Sequence, residues 1–261
     1  MGHIRIGALP TTRRWREVVE LLEESPQLTG ALTAALTEAA DARLRGLATD
    51  ESLNYSFWLL TRIASAAQQG NFVAQLSRLG LQLSEGTSTL SLISDITDKV
   101  RQRTAAEVQS GDFGELASLA LRRALMDTVA EHGRSLFGST VEDVHAALRS
   151  YSTPVRFGVV SQRFFADFFA RTLRSLLDRD LPNRIGDDRT IRNLAEGQEF
   201  SDALDLYTRQ AARITQGFAE GWYSKYNWQS QREITPEQSR GFVGYAIQKL
   251  RMELKEGKSP P

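Results

Sequence analysis

Apolar positions recur along this chain at intervals of three and four residues, and residues that start and stop helices punctuate them. Trp15, Val18, Val19 and Leu22 share a face after Pro10-Thr11-Thr12. Leu28, Leu32, Leu36 and Ala39 form a second stripe after Ser25-Pro26, with Gly46 as its stop. Asp50 is placed to cap a run carried by Leu53, Phe57, Leu60 and Ile63, which Gly70-Asn71 breaks. A short segment through Phe72, Leu76 and Leu79 closes at Gly80. Leu90, Ile93, Ile96 and Val100 carry the next run, after the Ser/Gly/Thr-rich residues 84–88.

Three further starts have the form of a capping box, in which a side chain at the cap and one three residues on satisfy each other's backbone N–H. They are Asp112 with Glu115, Ser139 with Glu142, and Thr235 with Gln238, the last reinforced by Pro236. The first opens a run through Leu116, Leu119, Ala120 and Met126, the third a final helix to about Lys255. Asp187 or Asp188 caps a short helix through Ile191 and Leu194, and a further helix is expected from Phe200 to about Gly221. No segment alternates apolar and polar residues long enough for a strand, and no fixed-period repeat appears. The pattern predicts an all-α fold: a multi-helix bundle of roughly ten helices joined by short loops. A long central helix is expected near 154–181. A single domain over 1–261 is expected, with 1–10 and 257–261 frayed.

Two segments stand out within that frame. From Pro154 to Pro182, Phe157, Val160, Phe164, Phe168 and Thr172 make one stripe, while Phe165, Phe169, Leu173 and Leu176 make its neighbour. The apolar arc is wider than the roughly 100° of a one-sided helix. It predicts a helix packed on two or three sides, or one with a stripe left for a partner. Its other edge alternates charge through Arg163, Asp167, Arg171, Arg174 and Asp178. The second segment, Gly217 to Trp228, holds Trp222, Tyr223, Lys225, Tyr226 and Trp228, with Arg232 just beyond. Gly217 and Gly221 share a helix face open to close approach by Gly241 and Gly244 of the last helix, and the aromatics occupy the connection between those two helices. Such residues lid a bundle end, anchor a protein partner or stack bases.

Composition narrows the chemistry. Thirty-two basic and 32 acidic residues cancel, so no global field draws in nucleic acid or an anionic membrane. The absence of cysteine removes disulfides, thiolate metal sites and cysteine nucleophiles, and fits a reducing compartment. The opening MGHIRIGALP has no apolar run of secretory type, and Ile6 stands where a myristoylation signal needs Ser or Thr. No stretch is apolar enough for a membrane span. A cytoplasmic protein is expected. Only five of the basic residues are lysine, a bias that points to a GC-rich bacterial gene.

The three histidines, His3, His132 and His145, have no metal-ligand spacing, and no HExxH, GxSxG, SxxK, GxxxxGK[ST] or GxGxxG is present. No catalytic residue, cofactor or metal is therefore assigned. Asp187, Asp188, Glu196, Glu199, Asp202 and Asp205 form the one carboxylate cluster, which suits helix starts and a solvated face, or else a metal-dependent hydrolase. The leading expectation is a non-catalytic subunit or adaptor of a bacterial multiprotein assembly, acting through protein–protein contact or self-association at Trp222, Tyr223, Lys225, Tyr226, Trp228 and Arg232. The alternatives are that hydrolase and a nucleic-acid-associated subunit of a defence-type complex, using Arg13, Arg14, Arg16, Arg163, Arg171 and Arg174.

Overall fold

The computed structural model describes residues 29–106, 113–131, 140–177 and 194–256. Among these residues there are eleven α-helices and no strand. They are α1 (Thr29–Ala39), α2 (Asp41–Gly46), α3 (Glu51–Ala66), α4 (Phe72–Arg78), α5 (Thr89–Ala106), α6 (Gly114–Glu131), α7 (Val141–Arg149), α8 (Pro154–Leu177), α9 (Leu194–Ala211), α10 (Arg213–Gln229) and α11 (Pro236–Glu256). The protein is an all-α multi-helix bundle, as its periodicity predicts. The expected helices around Trp15 and Ile191, and the caps at Asp112, Asp187 and Asp188, lie outside the described residues.

α8 is the axis of the bundle. Fourteen of its 24 residues are buried, including every member of both predicted stripes. α6, α9 and α10 pack along it. Phe57 from α3 reaches three of its rings, Phe157, Phe164 and Phe165, at centroid distances of 6.0, 6.0 and 5.3 Å. The same ring meets Trp222 of α10 at 5.9 Å and Phe242 of α11 at 5.1 Å. Buried apolar residues from Leu36 to Leu254 join one cluster around this point. Gly158 lets α10 come close: a Cβ there would sit 2.7 Å from the Gln216 carbonyl oxygen.

Several boundaries fall where the sequence places them. The Asp50 carboxylate accepts the Leu53 N–H at 2.8 Å. Thr235 and Gln238 close their box, at 3.3 and 3.0 Å. α4 ends in a Schellman arrangement: Gly80 takes a left-handed φ of 72° while the Leu81 N–H reaches the Leu76 carbonyl. The box before α7 lies one residue later than expected. Thr140, in extended backbone, caps Asp143, and the Asp143 side chain returns to the Thr140 N–H.

Two expected single helices are each divided. The run up to Gly46 breaks at Ala40, and the run from Phe200 breaks at Ala212. At the second break the Thr215 N–H and hydroxyl both donate to the Ala212 carbonyl, at 3.0 and 2.7 Å. That local bond competes with helix propagation without glycine or proline. α10 then runs on to Gln229, eight residues past the expected end.

The first break buries a charge. Asp41 is 3% exposed and is held by Arg45, Arg251 and Lys255, the last at 2.7 Å. Lys255 also reaches Glu38 at 2.6 Å, so the end of α11 is tied to α1 and α2. Burial alone would raise the Asp41 pKa. Hydrogen bonds and charge from Arg251 and Lys255 outweigh it and hold the carboxyl far below its usual range.

Two outcomes follow for stability. Gly158→Ala should destabilise the fold by about 1–3 kcal/mol in urea titration, because the backbone contact outweighs the roughly 1 kcal/mol gain in helix propensity. Asp41→Ala should cost about 3 kcal/mol, since it leaves Arg251 without its carboxylate and Lys255 with Glu38 alone. The stabilisation from Asp41 is present above the unfolded carboxyl pKa near 3.9 and lost as pH falls from there toward the lower folded value. Wild type should therefore lose stability faster than Asp41→Ala when urea midpoints are followed from pH 5 downward.

Candidate interaction surface

Among the described residues, the chemistry-bearing side chains are engaged in structure. The His145 Nε2 lies 2.8 Å from the Ala67 carbonyl, and its ring stacks on Phe72 at 4.4 Å. His3, His132, Asp187 and Asp188 lie outside the described residues, as do the side chains of Glu196 and Glu199. Gln198 donates to Asp202 at 2.9 Å and Arg174 to Asp205 at 2.6 Å. Among the described residues no group of three or more His, Asp or Glu is placed to hold a metal. No helix there is long and apolar enough to cross a membrane.

The basic edge of α8 is likewise occupied. Arg163 donates to the Thr128 hydroxyl at 3.0 Å, Arg171 binds Asp167, and Arg174 also reaches the Ser201 carbonyl at 3.2 Å. A groove of about 440 Å³ runs beside them, where Arg123, Arg163, Arg209 and Arg213 alternate with Asp127, Asp167 and Asp205. Mixed signs make it a poor phosphate track. Arg13, Arg14 and Arg16 lie outside the described residues.

The aromatic segment is the last three turns of α10 rather than a connection, and α10 sorts its side chains by face. Tyr223 is fully buried, with its ring stacked on Phe157 at 4.1 Å. Burial pushes its phenol well above the ordinary value, and that of Tyr151 likewise, so both hydroxyls stay neutral. Trp222 is half-buried against Phe242 at 4.9 Å, and Tyr226 leans on it at 5.6 Å with the Lys225 ammonium 5.4 Å from its ring. Trp228 is 82% exposed.

A polar network fixes this end of α10 to α3. Ser65 donates to Asn227 at 2.8 Å, and Asn227 donates to Gln68 at 2.9 Å. The turn that follows holds Gln231 and Arg232 at φ of 50° and 69°, a left-handed pair without glycine. Such conformations persist where surroundings enforce them. Here the nearly buried Arg62 donates to the Arg232 carbonyl at 2.8 Å and meets Glu233 at 3.4 Å, while the Trp58 Nε1–H donates to the Ile234 carbonyl at 3.1 Å. Arg232 itself donates to the Gln68 carbonyl at 3.2 Å.

The glycines do not pack on each other. A Cβ built on Gly217, Gly221 or Gly241 meets nothing within 4 Å, and on Gly244 only Ala48 at 3.9 Å. The seam between α10 and α11 is filled instead by Trp222 on Phe242 and by Phe218 edge-on to Tyr245 at 5.0 Å. These rings turn the glycines outward. Gly217, Gly221, Ser224 and Trp228, spaced four, three and four, form one solvent-facing stripe. Beside it Phe218 and Tyr245 are 43 and 38% exposed. Placing the aromatics after Gly221 in a connection obscured this stripe; its helical spacing was the available signal.

By architecture the chain belongs to the class of all-α multi-helix bundles. No protein-family model, curated protein or solved structure matches it.

Arg62→Met should destabilise the protein by about 1–3 kcal/mol by leaving the Arg232 carbonyl without its buried donor. Amide exchange at residues 230–235 should accelerate more than at α8. Equal acceleration of both would show that Arg62 does not hold the turn locally.

Proposed function

We propose that the protein is a non-catalytic helical subunit that works through protein–protein contact, and that the exposed α10 stripe is the contact, occupied first by a second copy of the chain. The observation that carries this reading is the juxtaposition of an 82% exposed tryptophan with open glycines on one helix face. Trp228 lies eleven residues, about 16 Å at 1.5 Å per residue, from Gly217. When two such helices cross antiparallel about residues 222 and 223, Trp228 of each copy covers Gly217 of the other, and Ser224 meets Gly221. A protruding ring and the hollow that takes it then repeat on both sides of a two-fold axis, as a closed dimer requires. On the flank toward α11, Lys225 of one copy meets the Phe218 and Trp222 rings of the other, a favourable cation–aromatic pairing. The zero formal net charge leaves little repulsion between copies.

Nucleic-acid association draws less support, because Arg163, Arg171 and Arg174 already have protein partners. Light scattering behind size exclusion, with analytical centrifugation across concentrations, tests the proposal. Wild type should form a concentration-dependent dimer. Trp228→Ala and Gly221→Leu, both at open positions, should each weaken it about tenfold or more with helicity unchanged. A wild type that stays monomeric at every concentration, or variants that dimerise as wild type does, would overturn it.

A further inference from the structure

A cavity of about 230 Å³ opens between the start of α3, the end of α4, α5 and the start of α11, and no residue of the α10 stripe lines it. Its apolar wall is the Tyr55 and Trp58 rings, 5.5 Å apart, with Leu79 and Pro236 beside them. The bond from the Trp58 Nε1–H to the Ile234 carbonyl holds the larger ring in place. A cavity of roughly 150 Å³ with apolar walls takes one benzene ring. This one admits two fused rings and little more.

Charge around the cavity is already balanced. Arg240 pairs with Glu51 at 2.7 Å, Arg78 with Glu233 at 4.0 Å, and the Arg103 guanidinium lies over the Tyr55 ring, 4.7 Å from its centre. Both helix starts are closed as well, α3 by the Asp50 carboxylate and α11 by the Thr235 hydroxyl. An anion would have to displace a carboxylate, and a cation would meet three guanidiniums. The polar group left unanswered is a neutral one. Asn54, 5% exposed, lines the cavity. Its Nδ2 donates to the carbonyls of Ala48 and Asp50 at 3.1 and 2.8 Å, which fixes the orientation of the amide and leaves its Oδ1 an acceptor without a donor. A buried acceptor left bare is costly, so a ligand that brings a donor gains by it. Water would bring a donor but would cover neither ring.

We infer that this cavity binds a small neutral heteroaromatic molecule, two fused rings bearing an N–H, with the ring system against Trp58 and Tyr55 and the N–H on the Asn54 Oδ1. Aromatic side chains favour such a guest through offset stacking. A site built to receive an N–H discriminates sharply against the same rings without one, because its acceptor is then left bare again. None of these residues belongs to the proposed dimer contact, so the two readings stand or fall separately.

Isothermal titration of the full chain with benzimidazole and with indole, at a pH where both are neutral, tests the inference. Their N-methyl counterparts, which keep the rings and lack the N–H, are the controls. At least one parent compound should bind, about tenfold or more tighter than its N-methyl counterpart. Affinity should be the same at low and high salt, because no charge is paired on binding. In isotope-labelled wild type, nuclear magnetic resonance should show the Asn54 side-chain amide and the Trp58 indole N–H shifting on saturation, with the Trp228 indole N–H unmoved. Asn54→Ala, once circular dichroism shows it folded, should bind parent and N-methyl compounds alike. Trp228→Ala should bind as wild type. Heat from neither parent compound, equal affinity for the N-methyl compounds, affinity that falls with salt, or an Asn54 amide that does not shift would overturn the inference.

Discussion

The structure depends on one ring. Phe57 lies within 6.0 Å of rings from α8, α10 and α11, so four helices are located against a single buried side chain. Burying each such ring contributes about 2–3 kcal/mol, and the offset geometry of the pairs adds direction that aliphatic contact lacks. The glycine at 158 belongs to the same arrangement. By admitting α10 to within backbone contact of α8 it lets Tyr223 stack on Phe157, which in turn sets which face of α10 is left for solvent.

The surface is then what the core does not consume. Among the aromatic residues of α10, Tyr223 is claimed entirely, Trp222 and Tyr226 in part, and Trp228 not at all. Charged residues follow the same division. The arginines of α8 complete the bundle by binding neighbours, and Arg78 and Arg240 pair with Glu233 and Glu51 beside a small cavity between α3, α4, α5 and α11. A basic residue is informative about ligands only once its protein partners have been assigned.

Much of the fold was legible in the sequence because helix periodicity and capping are local. The two stripes of α8, the cap at Asp50 and the box at Thr235 needed only near neighbours to be read. The breaks at Ala40 and Ala212 were not legible, since neither has glycine or proline beside it, and a threonine hydroxyl decides the second. Thr140 competed with Ser139 for one cap, and both fit the motif. The helix expected to end near Gly221 left the aromatics after it in a connection, although the same residues at helical spacing continue it to Gln229 and build a sorted face. The cavity between α3 and α11 was invisible because its residues come from four helices and are up to 189 positions apart, as Glu51 and Arg240 are.

The left-handed pair at Gln231 and Arg232 makes the α10–α11 turn a gauge of chain length. One residue inserted or deleted between Gln229 and Pro236 would move the Arg232 or the Ile234 carbonyl off the donor that Arg62 or Trp58 supplies from α3. Glycine at position 231 or 232 would take the same left-handed backbone at less cost. The turn is thus measured by two donors on another helix rather than by the side chains it displays.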